Sequence, residues 1–264
     1  MPIIEEYLKR HPDYYNTTLP LLPLMHSCEC FDARNILTTQ ELEARFCNVF
    51  KKDLLYFYYG KPSYPVGEKV EEYRTDLEYL PVCFIVDLRK VSIYKVYPFD
   101  SGAFFANVYS DFLHRHMKID SFELPCNEEG IKSYLSFMFG DNDKYFDGIA
   151  VKRDLTGEPN LDALLRMMTA DGTMKFDERA RTIEVISRDS VQLKDALKCV
   201  ILPINLLQDD NIVTFLRDNN IDVIPYKVRQ LVHPTKYYGQ IFEKALNYIE
   251  AQKESLSVWM QSIN

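Results

Sequence analysis

The chain has 264 residues, of which 47% are hydrophobic and 27% charged, with a formal net charge of −8. That composition suits a globular protein with a core of its own, and it counts against a non-specific nucleic-acid binder, whose affinity comes from neutralising phosphates with Lys and Arg. Its 9 glycines form no cluster, which weighs against a glycine-rich phosphate loop and the classical dinucleotide fold built on one.

From the N-terminus, residues 2–10 predict a short helix with Pro at its start. No basic segment followed by an apolar stretch opens the chain, and no window approaches the roughly 20 apolar residues that span a bilayer. A cytoplasmic protein with no membrane partner is expected, with Cys28, Cys30, Cys47, Cys83, Cys126 and Cys199 reduced. Residues 21–27 are an apolar run suited to a buried strand, and Asp32 is placed to cap a helix through Ala33, Ile36 and Leu37. Residues 53–59 are dense in β-formers and end at Gly60, where the turn KPSYP follows. Residues 82–86 and 91–96 read as two further strands.

The pattern then turns helical. FFANVYSDFLHRH, IKSYLSFMFG and NLDALLRMMTADG space their apolar residues three and four apart, with Gly140 and Gly172 as helix stops and Asn160 as a cap. The preceding PFDSGAFF fits either a loop over a bound ligand or a turn capping a helix. Strands return at 181–187, 198–203 and 221–226, the last two separated by a helix over 211–219. The closing segment predicts an amphipathic helix with Ile241, Ala245 and Ile249 on one face and Phe242 and Leu246 beside them. Strands at both ends with helices between predict an α+β fold. It is read as one domain, 1–264, with a helical insertion at about 101–175.

Three places carry candidate chemistry. His26 ends the first strand just before a helix, so its imidazole can face a cleft at the strand's end, or sit as a core or rim residue. His26, Cys28 and Cys30 alternate and would share one strand face. Their spacing is tighter than the familiar zinc motifs and no second ligand pair follows, so no metal is expected. Tyr56 and Tyr58 share one face of the aromatic strand, Phe57 and Tyr59 the other. One pair packs in the core, and the other lines a cleft where a phenol ring can stack on a flat heteroaromatic ring. In RTIEVIS, Glu184 is either a surface residue of an edge strand or a carboxylate fixed at a cleft mouth to stabilise positive charge. Cys126 with His114 or His116 has nothing to fix it as a nucleophile–base pair, and Glu184 lacks the nearby Lys of a metal-dependent nuclease.

In this order MHSCECFDARNIL, LLYFYYGKPSYP and RARTIEVISRDSVQLKDALKCVILP resemble the ADP-ribosyltransferase superfamily of the His-Tyr-Glu type. The second and third also look like its bacterial DNA-modifying toxin branch, where the aromatic strand runs into a turn bearing a basic residue. Here that residue is Lys61, which cannot reproduce the bidentate fork of the Arg usual in that branch. The resemblance implies an ADP-ribosyltransferase-like split mixed/antiparallel β-sheet core with flanking helices. It implies NAD as substrate, cleaved between nicotinamide and ribose. Glu184 would stabilise the cationic ribose, His26 anchor the adenosine ribose, and Tyr58, with Tyr56 beside it, stack on nicotinamide. Lys61 and Arg34 are the candidates for the pyrophosphate. Thr182 stands where arginine-modifying relatives carry a second Glu or Gln, which argues against a guanidinium acceptor. The acceptor stays open among protein, small molecule, nucleic acid and water, as does the oligomeric state. A toxin or phage-defence effector follows by analogy alone. An NAD glycohydrolase, or an inactive binding or sensor module of the same fold, is the alternative.

Overall fold

The computed structural model describes residues 3–11, 18–64, 76–170, 178–229 and 232–263. In chain order it forms helix α1 (Ile3–Arg10), strand β1 (Leu24–Glu29), helix α2 (Cys30–Thr39) and strands β2 (Glu41–Leu42), β3 (Arg45–Cys47), β4 (Lys52–Tyr59), β5 (Pro81–Val86) and β6 (Lys95–Tyr97). Helices α3 (Ser101–Phe105), α4 (Glu128–Met138), α5 (Asn142–Phe146) and α6 (Pro159–Thr169) follow. The chain closes with β7 (Glu184–Ser187), β8 (Val191–Gln192), α7 (Leu193–Ala196), β9 (Leu197–Pro203), α8 (Asp210–Asp218), β10 (Asp222–Tyr226) and α9 (Lys236–Ile263). The protein is mixed α/β and divides into two compact units interleaved along the sequence. The first is Met1–Leu21, Ala44–Tyr59 and Ser92–Asp189; the second is Leu22–Glu43, Gly60–Val91 and Ser190–Asn264. Among the described residues no helix is long and apolar enough to cross a membrane.

In the first unit β3, β4, β7 and β6 pair antiparallel in that order. β3 and β4 form a hairpin whose loop turns on Lys51, held at φ 55° with its N–H on the Cys47 carbonyl at 2.8 Å. Along β4, Phe57 and Tyr59 are fully buried while Tyr56 and Tyr58 on the opposite face are partly exposed. That is the strand alternation the sequence implies. β7 lies between β4 and β6 with all four residues buried, so Glu184 is not the surface residue of an edge strand. Tyr145 of α5 ties the two main strands together: its hydroxyl donates to the Tyr59 carbonyl at 2.7 Å and accepts the Ile183 N–H at 3.1 Å.

The helices of this unit have readable ends. Asn127 caps α4 through the Gly130 N–H at 2.8 Å, and Gly140, at φ 90°, follows its C-terminus. α6 opens on Pro159 with Glu158 as its cap, not on the expected Asn160, and Gly172 lies outside the described residues. α1 packs on α4 and α6. FFANVYSDFLHRH does not form the expected helix. α3 ends at Phe105, and Asn107 enters the left-handed region at φ 58°, a conformation Asn tolerates and a helix does not. The apolar spacing there belongs to Tyr109 and Leu113, both buried across a single turn closed by Leu113 N–H to the Tyr109 carbonyl at 2.8 Å.

In the second unit β1, β5 and β9 pair antiparallel, and β10 runs parallel to β9 after the α8 crossover. β5 (PVCFIV) is buried at every position, and α2 and α9 pack against it. Ile241, Ala245 and Ile249 of α9 are buried together, as their spacing requires. α2 starts at Cys30, so Asp32 does not cap it but lies in its first turn, where the helix dipole favours an acid. The strand expected over 91–96 shortens to β6, because Val91 closes a 3-10 turn over Leu88–Lys90. Gly60, at φ 74°, donates its N–H to the Pro23 carbonyl at 2.8 Å.

Candidate functional site

β4 and β7 carry Tyr58 and Glu184 opposite each other, and β6 sets Tyr97 on the other side of Glu184. At this point the first unit holds a cavity of about 290 Å³. Tyr56, Tyr58 and Glu184 line it, together with Cys47 at the end of β3 and Asp100 and Ser101 at the start of α3. The volume is at the small end of the about 300–1,000 Å³ that ligand pockets span, enough for a nucleoside-sized fragment.

Glu184 is 2% exposed, and its Oε2 accepts the Ser101 N–H at 3.2 Å. Burial pushes its carboxyl well above the usual carboxylate range and the charge of Asp100 adds to the rise, more than the Ser101 hydrogen bonds offset. Asp100 is anchored from several directions. Its Oδ1 accepts the Ala103 N–H at 2.6 Å and so caps α3, which makes PFDSGAFF a capping turn. Its Oδ2 accepts the Tyr58 hydroxyl at 2.5 Å, and the Arg179 guanidinium lies 3.9 Å from that oxygen. Burial, then the charges of Asp100 and Glu184, push the Tyr58 phenol well up, so it serves as a donor.

Cys47 is different in kind from its neighbours. The Tyr56 hydroxyl donates to its Sγ at 3.0 Å. Burial alone would raise the thiol, but the N–H groups of Phe50 and Val49, the Tyr56 hydroxyl and the Lys51 charge outweigh it and hold the thiol below its ordinary value.

Of the residues the sequence singled out, the structure brings Tyr56, Tyr58 and Glu184 together. His26, Arg34 and Lys61 belong to the second unit. His26 is partly buried on β1 opposite Phe84, their ring centroids 6.3 Å apart. Arg34 is on the exposed side of α2, and Lys61, next to Gly60, is 4% exposed. Cys30 has already entered α2, so His26, Cys28 and Cys30 do not share a strand face. Among the described residues no group of three or more His, Cys, Asp or Glu is placed to hold a metal. Thr182 is buried with its hydroxyl on the Glu178 carbonyl at 2.8 Å.

Sequence reasoning missed Asp100, Ser101 and Cys47. Asp100 had a signal, an Asp three residues before the amide it caps in PFDSGAFF. Cys47 had none, since only the hairpin register carries it to Tyr56. A larger depression in the second unit, about 420 Å³, is lined by Glu29, Asp76 and Glu78 beside Phe31 and Tyr79. Its ionisable lining is acidic throughout, the wrong sign for an anionic dinucleotide. Comparison with protein-family models, curated proteins and solved structures finds no match to this chain.

Proposed function

We propose that this protein is an NAD-dependent ADP-ribosyltransferase with an ADP-ribosyltransferase-like fold, working at the Glu184 cavity. One observation carries the reading: Glu184, from the last of the three motifs, and Tyr58, from the second, face each other across β4 and β7 at the same cavity. The order of the motifs along the chain supports it.

The chemistry follows from the charges. Breaking the nicotinamide–ribose bond of NAD sends the bonding pair to nicotinamide, which leaves neutral, and leaves positive charge on the ribose. A fixed carboxylate beside that carbon stabilises the charge without reorganising. Burial raises the pKa of Glu184 and so favours its protonated form, whereas the cationic nicotinamide ring of NAD favours the ionised form when it enters. Binding therefore shifts Glu184 towards the carboxylate at the place where the positive charge will develop. Tyr58 is fixed by its bond to Asp100, and Tyr56 by its bond to Cys47, so two phenol rings are held ready to stack on the nicotinamide. The cavity takes the nicotinamide riboside end of the dinucleotide, by volume.

The test is nicotinamide release from NAD by wild type and Glu184→Gln, with and without added protein, nucleic-acid and small-molecule acceptors. Wild type should release nicotinamide, and the variant about a hundredfold more slowly or worse. A wild-type protein that releases none under any of these conditions is not this enzyme. Equal release from both proteins removes Glu184 from the role.

A further inference from the structure

Three cations of the first unit converge on one aromatic ring. Tyr94 precedes β6 and is pinned there by its N–H on the Ile186 carbonyl at 2.8 Å. Lys52, the first residue of β4, donates to the Tyr94 hydroxyl at 2.7 Å, with its Nζ 5.1 Å from the ring centroid. Arg188 follows the end of β7 and sets its guanidinium carbon 5.2 Å from the same centroid. Lys95 of β6 adds a third charge at 5.9 Å. At these distances each is a cation–π contact, which favours that placement of the side chain. The Lys52 hydrogen bond holds the phenol below its ordinary value, and the charges of Lys52, Lys95 and Arg188 add to the shift.

Only one of the three charges is compensated. Lys95 pairs with Glu123 at 2.5 Å, and Asp120 lies 3.9 Å away. Lys52 and Arg188 are exposed, and among the described residues neither pairs with a carboxylate, in a chain of net charge −8. Like charges gathered on one ring repel, and an anion seated between them relieves the repulsion. Two uncompensated cations suit a dianion. The fork of an Arg matches two phosphate oxygens, and a Lys supplies a point charge beside it. The cluster stands apart from the Glu184 cavity, because β7 carries the chain roughly 13 Å from Glu184 before Arg188 emerges.

We propose that Lys52, Arg188 and the Tyr94 ring form a binding site for a phosphate or pyrophosphate group. Lys52 and Arg188 contact the anion, and Tyr94 is a positioning residue that holds both cations against one ring, so that less side-chain freedom is lost on binding. The group belongs either to a dinucleotide whose other end occupies the Glu184 cavity or to a separate phosphate-bearing small molecule. The assignment stands on the cations and their ring, independently of NAD cleavage. Anion binding and nicotinamide release are separate measurements, and each can fail alone.

The experiment titrates the full chain with inorganic pyrophosphate by isothermal calorimetry at physiological ionic strength, where weak surface pairing is screened. One pyrophosphate should bind per chain. Arg188→Gln and Lys52→Gln should each weaken it about tenfold, the loss of one charge-assisted contact, with the thermal midpoint unchanged. Tyr94→Leu should weaken it too, and Tyr94→Phe, which keeps the ring, should recover most of the affinity. Lys90→Gln, at an exposed lysine of the second unit, should change nothing. The same titration of Glu184→Gln with NAD present identifies the source. Competition by NAD assigns the site to the dinucleotide's own phosphates, and undiminished pyrophosphate binding assigns it to a separate ligand. No binding by wild type, several equivalent pyrophosphates per chain, or wild-type affinity in both Arg188→Gln and Lys52→Gln overturns the proposal.

Discussion

Glu184 is held in its chemistry by groups that come from three separate stretches of chain. Its own strand buries it, Ser101 gives it one backbone donor, and Asp100 sets a second carboxyl close enough to raise its pKa. Asp100 in turn depends on the Tyr58 hydroxyl. Tyr58→Phe keeps the ring but strips a charge-assisted bond from a buried carboxylate. It should lower stability by about 1–3 kcal/mol in urea denaturation, and an unchanged midpoint would show that the short contact contributes nothing. The tyrosines were legible in the sequence because alternation on a strand is a property of neighbours; Glu184, on a strand buried at all four positions, was singled out only through the family resemblance. Asp100 and Cys47 were not, because a cap and a hairpin register bring them in from segments with no periodic signal of their own.

Elements show the same division between local and tertiary causes. β4 and the Ile241–Ile249 stretch of α9 were readable from the period of their apolar residues, and β5 and β9 from unbroken runs of β-forming apolar residues. The stretch after α3 was misread because Tyr109 and Leu113 repeat a helical spacing while Asn107, at φ 58°, has already left the helix. Gly130 in α4 shows how context can reverse a propensity. Replacing Gly by Ala inside a helix ordinarily stabilises by up to about 1 kcal/mol. Here an added Cβ would meet the Pro125 Cβ at 2.4 Å and its carbonyl oxygen at 2.6 Å. Gly130→Ala should therefore lower the thermal midpoint, and a rise would mean that the chain before α4 yields easily. Tyr145→Phe removes both the donor to the Tyr59 carbonyl and the acceptor of the Ile183 N–H, and should cost about 1–3 kcal/mol by the same denaturation measurement.

At the scale of the whole molecule, a buried carboxyl makes stability depend on pH. The Glu184 pKa is raised in the folded state above the 4.5 of an ordinary glutamate, so the native protein holds more protons than the unfolded chain between those two values. Stability contributed by this group is then lost as pH rises through that window, by at most about 1.4 kcal/mol per pH unit. Glu184→Gln, neutral at every pH, should melt higher than wild type above the window and lose this component of the slope. The same residue would thus weaken the fold and carry the reaction, the trade-off expected of a working site. The most direct test of its role is the pH profile of kcat/KM for nicotinamide release, which reports the free enzyme's ionisations. The profile should rise with pH along a limb displaced above the ordinary carboxylate range, and Asp100→Asn, which removes the neighbouring charge, should move that limb to lower pH. A limb at the ordinary glutamate value, or one that Asp100→Asn leaves in place, would contradict the assignment of Glu184 as the carboxylate on which NAD cleavage depends.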